Sequence, residues 1–261
     1  MNLQEMLDQA ASGTIHIEEG WGQGRATYGG LVAGLMHSAL RSQLPESGPP
    51  LRSLTVNFVA PVTPGEAAAD VQLLRSGRSA TQGMVQLRQD DTVVAAALAA
   101  FGAPRESSLT VPPSVVMPTL PEPKSIDPFP YLPGQTPDFF QHVEMRLADG
   151  RFPYSGASTS HMQGWMRFRE APPVFDERHF VSLADSWPPA VIQMLAQPAP
   201  GSSMTWTLEL LGDVTAEPDA HFAYAVHTDQ AADGYAHTDA RIWHPDGSLV
   251  AISRQTVSVF G

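Results

Sequence analysis

Two stretches of this chain, 152 residues apart, carry one pattern: Leu54-Thr-Val-Asn-Phe-Val-Ala-Pro-Val-Thr63 and Trp206-Thr-Leu-Glu-Leu-Leu-Gly-Asp-Val-Thr215. Asp90-Asp-Thr-Val-Val-Ala-Ala-Ala and Asp246-Gly-Ser-Leu-Val-Ala-Ile-Ser form a second pair, at an offset of 156. The extra residues fall in the loop Asp229-Gln-Ala-Ala-Asp-Gly234. A low-identity repeat kept in order over most of 261 residues predicts two copies of one supersecondary unit. The copies are held apart by proline: of 24 prolines, ten lie between Pro104 and Pro137, a density no helix or central strand sustains. The expected organisation is an N-terminal unit over 1–103, an extended connector over 104–145 and a C-terminal unit over 146–261.

Each unit reads as a helix followed by strands. Thr27 is expected to cap a helix over Gly29–Arg41 whose first turns are apolar or small nearly all round, the mark of a helix buried on most faces. Strands are expected at Leu54–Val59, Ala67–Ser76, Ala80–Gln89 and Thr92–Phe101. Val85 and Leu87 alternate with Gln86 and Arg88, and Asp90-Asp91 marks a hairpin. In the second unit a helix is expected over Ala190–Ala196, after Asp185-Ser-Trp-Pro-Pro. Strands follow at Ser203–Leu211, Ala220–Thr228, Gly234–His244 and Leu249–Val259, with a turn at His244-Pro-Asp-Gly247. A nearly all-apolar helix before an antiparallel meander predicts a curved sheet wrapped around a central helix. Twice over, this is an α+β double hotdog.

Charge narrows the function. Lys and Arg number 15 against 27 Asp and Glu, a net charge of −12, which argues against nucleic acid or an anionic membrane surface as partner. No cysteine is present, so disulfides, thiolate metal sites and Cys nucleophiles are excluded. No run of about 18 apolar residues predicts a membrane span, and the acidic start lacks the basic region of a signal peptide, so a cytoplasmic location is expected. Gly-x-Ser-x-Gly is absent, and Trp21-Gly-Gln-Gly24 lacks the context of a dinucleotide fingerprint. His227, Asp229, His237, Asp239 and His244 are metal-ligand types without a metal-site spacing, and read as polar strand faces. No metal and no organic cofactor is expected.

The ordered set of local patterns resembles the acyl-CoA thioesterase II family. It comprises Tyr28-Gly-Gly-Leu-Val-Ala-Gly34, a strand ending Phe58-Val-Ala-Pro-Val62, and Leu73-Leu-Arg-Ser-Gly-Arg-Ser79. In the second half it continues with Leu183-Ala-Asp-Ser-Trp-Pro-Pro189, Met204-Thr-Trp-Thr-Leu208 and Asp246-Gly-Ser-Leu-Val-Ala-Ile-Ser-Arg-Gln255. The resemblance implies hydrolysis of acyl-CoA by water attack without cofactor or metal, in a homodimer or higher homo-oligomer. It implies Asp185 as catalytic acid residue, Thr205 as its hydroxyl partner (Ser203 and Thr207 being register alternatives) and Gln255 as the amide. Two departures stand out: Thr207-Leu208 replaces the family's Asp-His pair, and Pro188-Pro189 interrupts the segment after Asp185.

Read from the residues alone, Asp185-Ser186 before Pro-Pro is a helix-start signal, Thr205 a β-branched strand residue and Gln255 a strand polar. As chemistry, a carboxylate can orient or deprotonate water, while a hydroxyl and an amide can hold both in place. Gly29 and Gly30 either offer backbone N–H groups to a developing oxyanion or allow close packing of the helix. Arg75, Arg78, Arg52 and Arg88 are candidates for coenzyme A phosphates, each with a solvated surface role as the bland alternative. Two other readings follow from the same fold: a non-catalytic acyl-CoA or lipid binder, and a hydratase or dehydratase, which would need a histidine such as His37 beside Asp185.

Overall fold

The computed structural model describes residues 1–260. The first half comprises α1 (Leu3–Ala10), β1 (Thr14–Ile17), the short pair β2 (Gly22–Gln23) and β3 (Ala26–Thr27), α2 (Gly29–Arg41), β4 (Leu51–Phe58), β5 (Gly65–Ser76), β6 (Ala80–Gln89) and β7 (Thr92–Gly102). The second comprises β8 (Val143–Asp149), β9 (His161–Phe168), α3 (Glu177–Leu183), β10 (Gly201–Leu210), β11 (Phe222–Ala232), β12 (Tyr235–Trp243) and β13 (Leu249–Val259). Eleven strands form one antiparallel sheet in the order β1-β5-β6-β7-β4-β10-β13-β12-β11-β9-β8. Each half is a meander closed by the strand that precedes it in sequence, so the order reads outward in the same way from β4 and from β10. This is the double hotdog. None of the helices among the described residues is long and apolar enough to cross a membrane.

The halves meet where the repeat says they should. Strands β4 and β10 pair with Thr55 opposite Thr207, and their hydroxyls are 3.2 Å apart. These two residues are repeat equivalents, 152 apart, so the junction is a self-complementary contact about a pseudo-twofold axis, the geometry of an isologous dimer interface. Both strands also carry a register shift at equivalent places, between Leu51 and Ser53 and between Ser203 and Thr205.

Helix α2 runs through the core. Gly30 to Leu40 are all buried, as the all-round apolar pattern requires. A Cβ at Gly34 would collide with the Ser182 hydroxyl, so glycine here lets α2 and α3 approach closely. Tyr28, not Thr27, is the N-cap of α2, with no side-chain cap bond; the Thr27 hydroxyl is buried and unpaired. The hairpin residues Asp90 and Asp91 both have positive φ, 46° and 63°, as a two-residue turn matching strand twist demands.

The second-half helix lies elsewhere than expected. Ala190–Met194 is only a 3-10 turn, whereas α3 precedes Asp185. Pro188 and Pro189 keep the chain extended instead of starting a helix. The true start signal is Asp176, whose carboxylate accepts from the N–H groups of Arg178 and His179.

Candidate active site

Asp185 follows the last turn of α3, where the chain leaves the helix beside the N-terminus of α2. A Cβ on Gly29 would lie 2.6 Å from Asp185 Oδ2 and 3.0 Å from Phe58 Cζ, so no other residue fits between helix and acid. Gln255 on β13 donates through Nε2 to Asp185 Oδ1 at 2.5 Å. Ser203 on β10 donates to Gln255 Oε1 at 2.9 Å. A carboxylate, an amide and a hydroxyl from three elements thus form one directed relay.

Thr205 is not part of it. Trp206 and Leu208 face the core, so strict alternation would turn Ser203 and Thr205 together to the outer face. The register shift before Thr205 adds a residue and brings Ser203 to the inner side, opposite Val257, while Thr205 stays outside, opposite Thr256 and Asn57. Thr207 bonds to Thr55 at the pseudo-twofold axis instead.

The acid is deeply set but keeps some accessible surface. Burial pushes its carboxyl up to about 7, against the Gln255 bond and the Gly30 N–H, which favour the charged form. Gly30 N–H is therefore directed at the carboxylate and not free for an oxyanion. Gly29 N–H, first in the helix, has no intrahelical acceptor by position. Tyr28 and Tyr224 have hydroxyls pushed up by burial and then by the nearby Asp185 charge. Tyr28 is further held by a 2.7 Å bond to the Ser182 carbonyl.

The pseudo-equivalent place at the other end of the helix pair is built differently. His37 and Asp185 are 148 residues apart, as are Gly29 and Glu177. There His37 Nε2 pairs with Glu177 Oε1 at 2.9 Å, and Leu51 N–H donates to Glu177 Oε2 at 2.8 Å. Leu51 and Ala99 stand where the second half has Ser203 and Gln255, so only one end carries the relay. His37 is thus occupied by Glu177 and remote from Asp185.

The other candidates are dispersed. Arg52 donates to the Gly102 carbonyl and Arg88 to that of Asp91, while Arg75 and Arg78 are exposed. His227 pairs with Asp229 within its own strand, and His244 with the Thr215 carbonyl.

Comparisons with known proteins identify the family and the fold. An acyl-CoA thioesterase N-terminal domain matches residues 17–102, and an acyl-CoA thioesterase C-terminal domain matches residues 123–259. The chain belongs to the acyl-CoA thioesterase family. Among solved structures, a conserved hot dog protein of unknown function from Alicyclobacillus acidocaldarius is 26% identical, with a TM-score of 0.83 over 95% of this chain and 92% of that one. An acyl-CoA thioesterase II from Mycobacterium marinum has a TM-score of 0.77 at 21% identity, over 99% of this chain and 98% of that one, a likeness of fold. No curated protein sequence matched the chain.

Sequence reasoning missed the buried aromatic cluster that the connector contributes. Phe129, Phe139 and Phe140, in the stretch read as connector, are all buried. Phe139 stacks on Tyr28 at 4.2 Å between centroids, and Phe129 meets Trp187 at 5.9 Å. Phenylalanines in a proline-rich segment were the available signal, since a solvated linker has no use for them.

Proposed function

We propose that the chain hydrolyses acyl-CoA to free acid and coenzyme A by direct attack of water, with Asp185 as general base, Gln255 as the group that orients it and Ser203 as the group that orients Gln255. The observation that carries this reading is the Asp185–Gln255–Ser203 relay around an acid raised to about 7. A base with that affinity for protons is well matched to neutral pH. Water loses its proton to Asp185 as its oxygen adds to the thioester carbonyl. The tetrahedral intermediate places its oxyanion toward the Gly29 N–H at the start of α2. The C–S bond then breaks, and protonated Asp185 returns its proton to the leaving thiolate. Gln255 engages Oδ1 and the Gly30 N–H also bonds the carboxylate, so water is taken up at a lone pair that these two leave open.

The His37–Glu177 pair bears against the hydratase reading, because the imidazole is committed at the opposite end of α2. The decisive experiment is thiol release from acyl-CoAs by the parent and by Asp185→Asn. A chain without cysteine gives a chromogenic thiol reagent no background. The expected result is turnover in the parent and a loss of at least about 10²-fold in the variant. A folded parent that binds coenzyme A but turns over no acyl-CoA would replace this reading with a binding protein.

A further inference from the structure

Asp185 lies where two helix ends meet, and one side chain joins those ends. Tyr28, the residue before α2, is wholly buried and turns its ring over the helix start toward α3. Its hydroxyl donates to the Ser182 carbonyl at 2.7 Å. A carbonyl in the last turn of a helix has no partner within that helix. The backbone donors that follow pass this one by: Ala184 N–H bonds the Phe180 carbonyl and Ser186 N–H that of Leu183. Tyr28 thus satisfies a buried acceptor three residues before Asp185.

The surroundings are shaped to this bond. A Cβ on Gly30 would collide with the Tyr28 hydroxyl and with the Ser182 carbonyl, so glycine leaves the bond its room. The Gly30 N–H is in turn directed at the Asp185 carboxylate. The tyrosine ring is fixed from the connector side, where Phe139 stacks on it at 4.2 Å with planes at 6°. Ser182 is fixed as well, its hydroxyl donating to the Arg178 carbonyl at 2.9 Å. Burial holds the phenol proton well above its ordinary range, and the Ser182 carbonyl engages that proton, so Tyr28 does not donate to a reacting atom.

We infer that Tyr28 is a positioning residue: its hydroxyl ties the end of α3 to the start of α2 and thereby fixes the Asp185 carboxylate against the Gly30 N–H. Without that tie the Ser182 carbonyl would turn toward another donor, and the acid, three residues on, would move with it. The role in catalysis rests on the thioesterase reading above, whereas the role in placing the acid does not.

The test is Tyr28→Phe, which keeps the ring on Phe139 and removes only the hydroxyl. Asp185 is followed by carbon NMR titration of the carboxyl signal that Asp185→Asn abolishes. Tyr28 and Tyr224, the titratable groups that sense Asp185, keep their protons across neutral pH, so the midpoint reports the acid. Burial raises that midpoint, and the Gln255 and Gly30 bonds lower it. A looser Gly30 contact is therefore expected to move it upward by at least about 0.5 pH units. In turnover, kcat should fall about 10-fold with KM nearly unchanged. A packing role alone would lower stability and leave the midpoint in place. Should Tyr28→Phe fail to fold, Phe139→Leu frees the ring and is expected to move the midpoint the same way by less. A folded Tyr28→Phe with the parent's midpoint or the parent's kcat overturns the inference, and so does an unmoved midpoint in Phe139→Leu where that variant decides. A parent that hydrolyses no acyl-CoA is the failure of the thioesterase reading alone, and the titration still decides whether Tyr28 places the acid.

Discussion

A buried carboxylate that must lose its proton to work is a destabilising group in its working form. Asp185 holds its proton to about pH 7 in the folded chain, against an ordinary value of 3.8. Between those values the unfolded chain has released a proton that the folded chain retains, so stability falls as pH rises through that window, and the whole cost is present above about 7. Asparagine is neutral throughout and can still accept the Gln255 bond. Asp185→Asn is therefore expected to be more stable than the parent above pH 7, by at most about 4 kcal/mol, with the difference vanishing near pH 4. Urea denaturation at both pH values checks this, and an equal difference at the two would contradict it. Activity should follow the same group with the opposite sign, kcat/KM rising as pH passes through about 7. A second contrast concerns the hydroxyl. Ser203→Ala leaves the Gln255 carbonyl without its donor and should cost about 10-fold in kcat with little change in KM, whereas Thr205→Ala on the outer face should leave both near the parent. Asp185 and Gln255 were legible as neighbours through the resemblance, and the structure brings them within hydrogen-bond distance. Which hydroxyl joins them was not, Ser203 standing only as a register alternative to Thr205, because one extra residue in β10 exchanges inner and outer faces and no side-chain pattern announces that shift.

At the scale of elements, the strands and α2 were legible because their patterns are local. The segments Ala80–Gln89 and Leu249–Val259 have the expected bounds, set by alternation and by Asp-containing turns. Helix α3 was not legible, since its seven residues are too few for a periodic signal and its cap, Asp176, lies nine residues before the acid. Packing makes so short a helix persist, and the His37–Glu177 pair at the other end of the helix contact is central to that packing. Burial opposes the charge on Glu177, but His37 and the Leu51 N–H hold its carboxyl below the ordinary range. Glu177→Ala would leave a wholly buried imidazole and a backbone N–H without their acceptor. A loss of about 2–4 kcal/mol of unfolding free energy is expected, read as a lower denaturation midpoint. Because α2 positions Gly29 against Asp185 from its other end, kcat should fall in the same variant under conditions where it remains folded. Unchanged stability would mean that the pair does not hold α2 against α3.

At the scale of the whole molecule, the proline-rich stretch has two parts with different duties. From about 104 to 120 it is mostly exposed and without regular structure, and its side-chain hydrogen bonds are confined to Ser107 and Leu109. From Pro121 onward it is fastened: the Pro121 carbonyl accepts from Trp165 Nε1 and those of Pro123 and Ile126 from Arg146, before Phe129, Phe139 and Phe140 enter the interior. The halves themselves are joined by the β4–β10 ladder and the α2–α3 contact, neither of which needs the first part of the connector. A specific protease site inserted between Ser107 and Leu109 should thus be cleavable in the folded enzyme without separating the fragments. After cleavage, the two pieces are expected to elute together in size-exclusion chromatography and to keep the uncut kcat. They should come apart only in denaturant, because the continuous sheet makes each half the partner that covers the other's open strand edge. Release of either fragment under native conditions, or loss of turnover on cutting, would show instead that the covalent link supplies what the ladder and helix contact are here held to provide.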